Sequence, residues 1–181
     1  MGVVSFFNIL YGTLVGISKF EVKDIEFHHP NLPKAFDGYR IVQLSDIHIG
    51  SWIDNEKPIN ELVELVNAQK VFTGDLVNQR SCELEGFQDI LAQLHAKDGV
   101  YSILGNHDYG SYYHWKNLKE QVNNIDNLVR MQKTMGWKLL NNEYDILHHE
   151  GDSIALIGVE NDGEPPFSQF ADLKKATKGT D

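Results

Sequence analysis

Apolar and polar positions change their period several times along the 181-residue chain. FEVKDIEFHHP (Phe20–Pro30) alternates as a strand does, with Val22 facing away from Ile25 and Phe27. Turn signals at Asn31-Leu-Pro and Phe36-Asp-Gly38 precede YRIVQLSD (Tyr39–Asp46), which predicts the first buried strand. A helical period follows in PINELVELVNAQK (Pro58–Lys70), where Ile59, Leu62, Val63 and Val66 share a face and Pro58 suits a first turn. VFTGD predicts a second strand, and GFQDILAQLHAK (Gly86–Lys97) a second helix through Phe87, Ile90, Leu91 and Leu94. GVYSILGN reads as the third strand. A longer helix is expected from about Trp115 to Met135, carrying Leu118, Val122, Ile125, Leu128 and Val129. WKLLNNEYDILHHEGDSIALIGVEN then predicts short strands with turns at Asn141-Asn142 and Gly151-Asp152.

Strand–helix alternation of this kind argues for an α/β fold, a parallel sheet with helices against its faces. A chain of this length that is 41% apolar buries one sizeable core, so residues 20–181 are expected to form one domain. One junction is odd: the helical pattern runs to Lys70 and the strand starts at Val71, although such connections usually take about 2–6 residues. The strand before Gly74 is also short, which suggests residues missing at this point. Residues 1–19 form a separate segment. Met1–Ser18 holds no charged side chain, close to the lower limit for a membrane span, but Ser5, Asn8, Gly12, Thr13 and Gly16 weaken it. No basic region precedes it, unlike an ordinary signal peptide. It reads as a membrane-anchor remnant, an interfacial helix or a segment packed on the domain.

Twenty-six acidic against sixteen basic residues give a formal charge of −10, and no basic stripe offsets it, which argues against a nucleic-acid partner. Phosphate chemistry stays open, because bound divalent cations reverse the local sign. The single cysteine, Cys82, excludes an intramolecular disulfide framework and a cysteine-based zinc cluster.

The residues with chemistry gather where strands run out. LSDIHIG ends an apolar run with Asp46 and His48 two positions apart, on one side of an extended chain. Asp75 follows Gly74 at the end of the second strand, and Asn106, His107 and Asp108 follow Gly105 at the end of the third. The three groups lie about 30 residues apart, the length of one βαβ unit, so parallel neighbours would bring the three loops together. Carboxylate oxygen, imidazole nitrogen and amide oxygen suit Mn, Fe, Zn or Mg. Singly, each motif reads equally as a helix cap, a turn or a satisfied core histidine. All three in order at successive strand ends argue against coincidence.

Asp46-Ile-His48, Gly74-Asp75-Leu-Val-Asn78 and Gly105-Asn106-His107-Asp108 resemble the D-x-H, G-D-x-x-[ND] and G-N-H-[DE] blocks of calcineurin-like metallophosphoesterases, over roughly Leu32 to Asn161. LSDIHIGSW and GNHDYG resemble a bacterial, often membrane-associated, phosphodiesterase-like branch. The resemblance implies a layered β-sandwich flanked by helices (αββα). It implies hydrolysis of phosphomonoesters or phosphodiesters by a metal-activated water at a dinuclear centre of divalent ions (Mn, Fe, Zn or Mg). By position, Asp46 and His48 would hold one metal, Asp75 would bridge both and Asn106 would hold the second. His107 would contact the phosphate and protonate the leaving oxygen, and Asp108 would orient His107. A small-molecule or lipid-like phosphoester is the implied substrate, and a bacterial membrane, reached through the N-terminus, or else the cytoplasm, the implied location.

The resemblance is incomplete. The family closes its site with a later histidine and a G-H-x-H block, and neither follows Asp108; His114, His148 and His149 do not match. The chain therefore resembles a domain truncated at its C-terminus, inactive or weak by itself. Three classes of function stay in view: a phosphoesterase, a metal- or phosphate-binding module without hydrolysis, and a structural domain. The loops at Ser51–Lys57, Gln79–Gly86 and Tyr109–Trp115 would carry specificity. Trp52, Tyr109, Tyr112, Tyr113 and Trp115 are expected either to line an apolar pocket there or to pack in the core.

Overall fold

The computed structural model describes residues 20–67, 72–164 and 169–180. The uncharged run Met1–Ser18 and the junction at Lys70–Val71 lie outside the described residues. The chain divides into a unit up to Leu32 and a unit from Pro33 to Asp181. In the first unit, Phe20–Pro30 forms no strand, and Ile25 and Phe27 are largely exposed. Alternation predicts a strand only where a neighbour supplies the ladder, and none of the described strands pairs with this one.

The second unit is mixed α/β with small sheets. It is built from α1 (Lys57–Asn67), β1 (Phe72–Thr73), α2 (Gln88–Leu91), β2 (Tyr101–Ser102), α3 (Leu118–Thr134), β3 (Lys138–Leu139), β4 (Glu143–His149), β5 (Asp152–Gly158) and α4 (Leu173–Ala176). Three short 3-10 helices, Lys34–Phe36, Ile49–Trp52 and Ser81–Leu84, join them. β1, β2 and β3 form a parallel sheet in chain order, with Phe72 opposite Tyr101 and Tyr101 opposite Lys138. β4 and β5 form a separate antiparallel hairpin, Glu143 opposite Gly158 through His149 opposite Asp152.

The first buried strand expected over Tyr39–Asp46 is not formed, and Ile41 is 55% exposed. Among the described residues β1 is only Phe72–Thr73, and no described strand pairs with this stretch. Pairing occurs further along instead. The N–H groups of Asp46, His48 and Ile49 donate to the carbonyls of Gly74, Asp75 and Leu76 at 3.0, 3.1 and 2.9 Å. Two loops thus zip together just beyond the sheet.

The helices follow their patterns in part. Ile59, Leu62, Val63 and Val66 are all buried on α1, as its amphipathic face requires. Phe87, Ile90, Leu91 and Leu94 are buried as expected, but only Gln88–Leu91 is α-helical. α3 starts at its Asn117 cap, whose side chain accepts from Glu120 N–H at 3.0 Å, and ends before Gly136, which takes φ +84°. Its buried face matches the expected one at Leu128, with Ile125 and Val129 half-buried, but otherwise differs: Asn124, Met131 and Gln132 face inward, while Leu118 is 74% and Val122 45% exposed. Asn124 Oδ1 accepts from Ser81 N–H at 2.7 Å, a tertiary bond that helical periodicity does not encode.

The hairpin turns at Glu150-Gly151, one residue before the expected pair. Both residues have positive φ, +48° and +94°, the two-residue turn whose twist matches paired strands. Gly158 sits against the side chain of Leu140 with no room for a Cβ. Asn142, also left-handed at φ +54°, uses its whole amide. It accepts from Glu160 and Asp172 N–H and donates to the Glu160 carboxylate and the Phe170 carbonyl.

Candidate metal centre

The zipped loops decide where the functional side chains point. Asp46, His48 and Asp75 offer one ligand atom each, and these atoms lie within 4.8 Å of one another. His48 Nε2 is 3.8 Å from Asp46 Oδ1. All three residues occupy the left-handed region, with φ +58°, +46° and +53°. Non-glycine residues rarely sit there, at a cost of about 1–3 kcal/mol each, and such strain gathers at functional sites. The hydrogen bonds from Asp46 and His48 to Gly74 and Asp75 hold them in place. An O, N, O donor set at this spacing fits a divalent cation of the Mn, Fe, Zn or Mg kind.

The third loop attaches through Asp75. Its Oδ1 accepts from His107 N–H at 3.1 Å, and its carboxylate lies where a Cβ on Gly105 would stand. Glycine at 105 is therefore a matter of close approach. The His107 ring meets the His48 ring edge-on at 4.6 Å between centroids. Its Nδ1 donates to the Asn78 carbonyl at 2.7 Å, which leaves Nε2 as the nitrogen free for other partners.

Asp108 differs from the role expected for it. Its oxygens accept from Val77 and Gly105 N–H, each at 3.0 Å, so it clamps two loops together while the Asn78 carbonyl orients His107. Asp108 is fully buried, and burial pushes its carboxyl up to about 7; the Asp75 charge pushes the same way, against the backbone donors. Asn106 belongs to the same turn and donates through Nδ2 to the Tyr112 hydroxyl at 2.8 Å. His114 is exposed, His148 is exposed on β4, and His149 packs its ring on Phe36 and Tyr39. Among the described residues, Asp46, His48 and Asp75 are the grouping of acidic, histidine and cysteine ligands compact enough for an ion.

The match to the calcineurin-like phosphoesterase family model covers residues 39–176. The chain belongs to that family. Its members are metal-dependent phosphoester hydrolases, and the αββα expectation resolves here as a mixed α/β domain with small sheets. A transmembrane protein with metallophosphoesterase domain from Danio rerio is 33% identical over 55% of this chain and 24% of its own length. UDP-2,3-diacylglucosamine pyrophosphatase LpxG of Chlamydia trachomatis is 36% identical over 52% of this chain and 31% of its own. A metallophosphoesterase of Helicobacter pylori strain J99 is 28% identical over 94% of this chain and 42% of its own. The chain thus spans between about a quarter and two fifths of these relatives. No solved structure matches.

Three contributors escaped the sequence reading. Asn78 was only the last letter of a motif, yet its carbonyl holds His107 and its Nδ2 reaches Ser51 Oγ at 3.0 Å. Glu83 grips the same loop, its carboxylate accepting from Asn78, Gln79 and Arg80 N–H at 2.7, 3.3 and 3.0 Å. The local signal was an acidic residue three positions into the Ser81–Leu84 helix, the spacing of a capping box. Tyr112 is one aromatic among five near these loops, and no sequence signal ties it to Asn106 and His107.

Proposed function

We infer that this domain hydrolyses a phosphomonoester or phosphodiester at a site for two divalent cations. The observation that carries the reading is the convergence of Asp46, His48 and Asp75 within 4.8 Å, beside the His107 ring. Asp46, His48 and Asp75 would hold one cation, and Asp75 together with Asn106 would hold the other. When bound, such ions neutralise charge on phosphoryl oxygens and supply a water acidic enough to attack at neutral pH. The other tasks belong to the chain. With Nδ1–H on the Asn78 carbonyl, His107 presents Nε2; in the doubly protonated imidazolium form Nε2 would pass its proton to the leaving oxygen, leaving the neutral Nδ1–H ring. Asp75 holds the His107 backbone, and Asp108 keeps the loops in register.

The substrate class we extend to this chain is a small or lipid-like phosphoester, supported by the diacylglucosamine nucleotide in the name of the Chlamydia relative. Association with a bacterial membrane through residues 1–19 is part of the same reading. It rests on the uncharged run and on the name of the Danio relative. Among the described residues no helix is long and apolar enough to cross a membrane.

A second reading is a metal- or phosphate-binding module without turnover. It is favoured by the ligand count, three residues for one ion and two for the other, against about three per catalytic metal plus an open position. The experiment is Mn-dependent hydrolysis of 4-nitrophenyl phosphate and its bis-ester, with metal stoichiometry measured in parallel. Turnover that Asp75→Ala abolishes and His107→Ala lowers about 10²–10⁴-fold in kcat supports the hydrolase. Stoichiometric metal with no turnover supports the module. Unchanged kcat with raised KM in His107→Ala removes it as the proton donor.

A further inference from the structure

Tyr112 touches two of the residues that the phosphoesterase reading puts to work. Its ring lies 4.7 Å from the His107 ring, tilted by 39°, and its hydroxyl accepts from Asn106 Nδ2 at 2.8 Å. It is nevertheless 43% exposed. The other aromatics near these loops are employed differently. Trp52 and Tyr109 are buried, the first donating to the Ile47 carbonyl and the second to Glu160. Trp115 donates to the Gly110 carbonyl at 2.7 Å. Tyr112 is held against a proton donor and an amide ligand with an open face.

The hydrogen bond has a direction. An amide nitrogen only donates, so Asn106 turns Nδ2 toward Tyr112 and Oδ1 away from it. The phenol oxygen accepts, and its own O–H proton is left for another acceptor; among the described residues none receives it. Tyr113 continues the surface, 40% exposed, with the Arg80 guanidinium 5.0 Å above its ring.

We propose that Tyr112 contacts the substrate and sets specificity. Its hydroxyl donates to an oxygen of the bound phosphoester, and its ring forms a platform, beside His107, for a flat or apolar group on the ester oxygen. Aromatic side chains with one polar atom suit such a place, since one end is apolar and the other wet. The proposal rests on the phosphoesterase reading and sharpens it toward esters whose leaving group carries a ring.

The test is an NMR titration of the 181-residue chain in Mg²⁺ with inorganic phosphate and with phenyl phosphate. The parent should prefer phenyl phosphate by about 3- to 10-fold, the size of one aromatic contact. Tyr112→Phe should weaken both ligands by about 3- to 10-fold, one net hydrogen bond, and keep their ratio. Tyr112→Leu should abolish the preference, and Asp75→Ala should lose both ligands. If both Tyr112 variants bind like the parent while Asp75→Ala does not, the role of Tyr112 is overturned and the site reading stands. If Asp75→Ala binds like the parent, or the parent binds neither probe, both fall together. Folding of each variant is checked by its thermal midpoint, which an exposed side chain should leave within a few degrees of the parent.

Discussion

The β4–β5 hairpin and the loop cluster at the candidate metal centre both carry histidines and carboxylates, yet they are organised by different forces. In the hairpin, seven consecutive antiparallel pairs run between neighbours in the chain, and a left-handed Glu150-Gly151 turn closes it with a glycine where φ reaches +94°. At the centre the strands are two residues long, and three non-glycine residues are left-handed because hydrogen bonds from distant residues require it. Neighbouring residues build the first region; the second is tied together by bonds between loops distant in sequence. Histidines mark the contrast. His148 and His149 are adjacent and diverge, as pleating demands, whereas His48 and His107 are far apart in sequence and stand ring to ring.

The largest test of that contrast is metal affinity. Asp75→Ala should weaken Mn binding by more than the roughly 10–100-fold typical of residues that merely support a metal ligand, and by more than Asp46→Asn. His148→Ala with His149→Ala should leave it unchanged. Calorimetric titration of the chelated protein reads all of these. Equal affinities in Asp75→Ala and parent would remove the distinction between the two regions.

Next come the close approaches. Gly105→Ala places a methyl on the Asp75 carboxylate, and Gly158→Ala places one on Leu140. Each should cost about 1–3 kcal/mol in denaturant unfolding, as overpacking does. Only Gly105→Ala should also impair metal binding. Gly151→Ala should cost about 1–2 kcal/mol through its left-handed φ alone, with nothing within 4 Å of the added methyl.

The smallest effect concerns pH. Lys138, 2.6 Å away, and the Tyr101 hydroxyl hold the Asp145 carboxyl below its ordinary value. A carboxyl depressed on folding contributes stability that is full above its unfolded value, about 3.9, and is lost as pH falls through the folded one. Lys138→Met should therefore flatten the acid limb of the stability profile. The loss near neutral pH should be no more than about 1 kcal/mol, since the pair is partly exposed.

Taken by itself, the sequence determined the class of the protein and singled out candidates for its site. Asp46, His48, Asp75, Asn106, His107 and Asp108 stand out because metal chemistry restricts the residue types and glycines lie beside them; of these, the structure brings the ligand atoms of Asp46, His48 and Asp75 within 4.8 Å of one another. It also determined the buried faces of α1 and of Phe87–Leu94, where one period dominates. It misjudged Phe20–Pro30, Tyr39–Asp46 and, apart from Leu128, most of the inward face of α3, since strand pairing and the Asn124–Ser81 bond are non-local. Only the tertiary structure decided that the Asn78 carbonyl, and not Asp108, holds His107, and that Glu83 braces that loop. The physical reason is the same in each case. Residue identity limits which atoms can bind, whereas a hydrogen bond between loops about 30 residues apart depends on where the chain brings them.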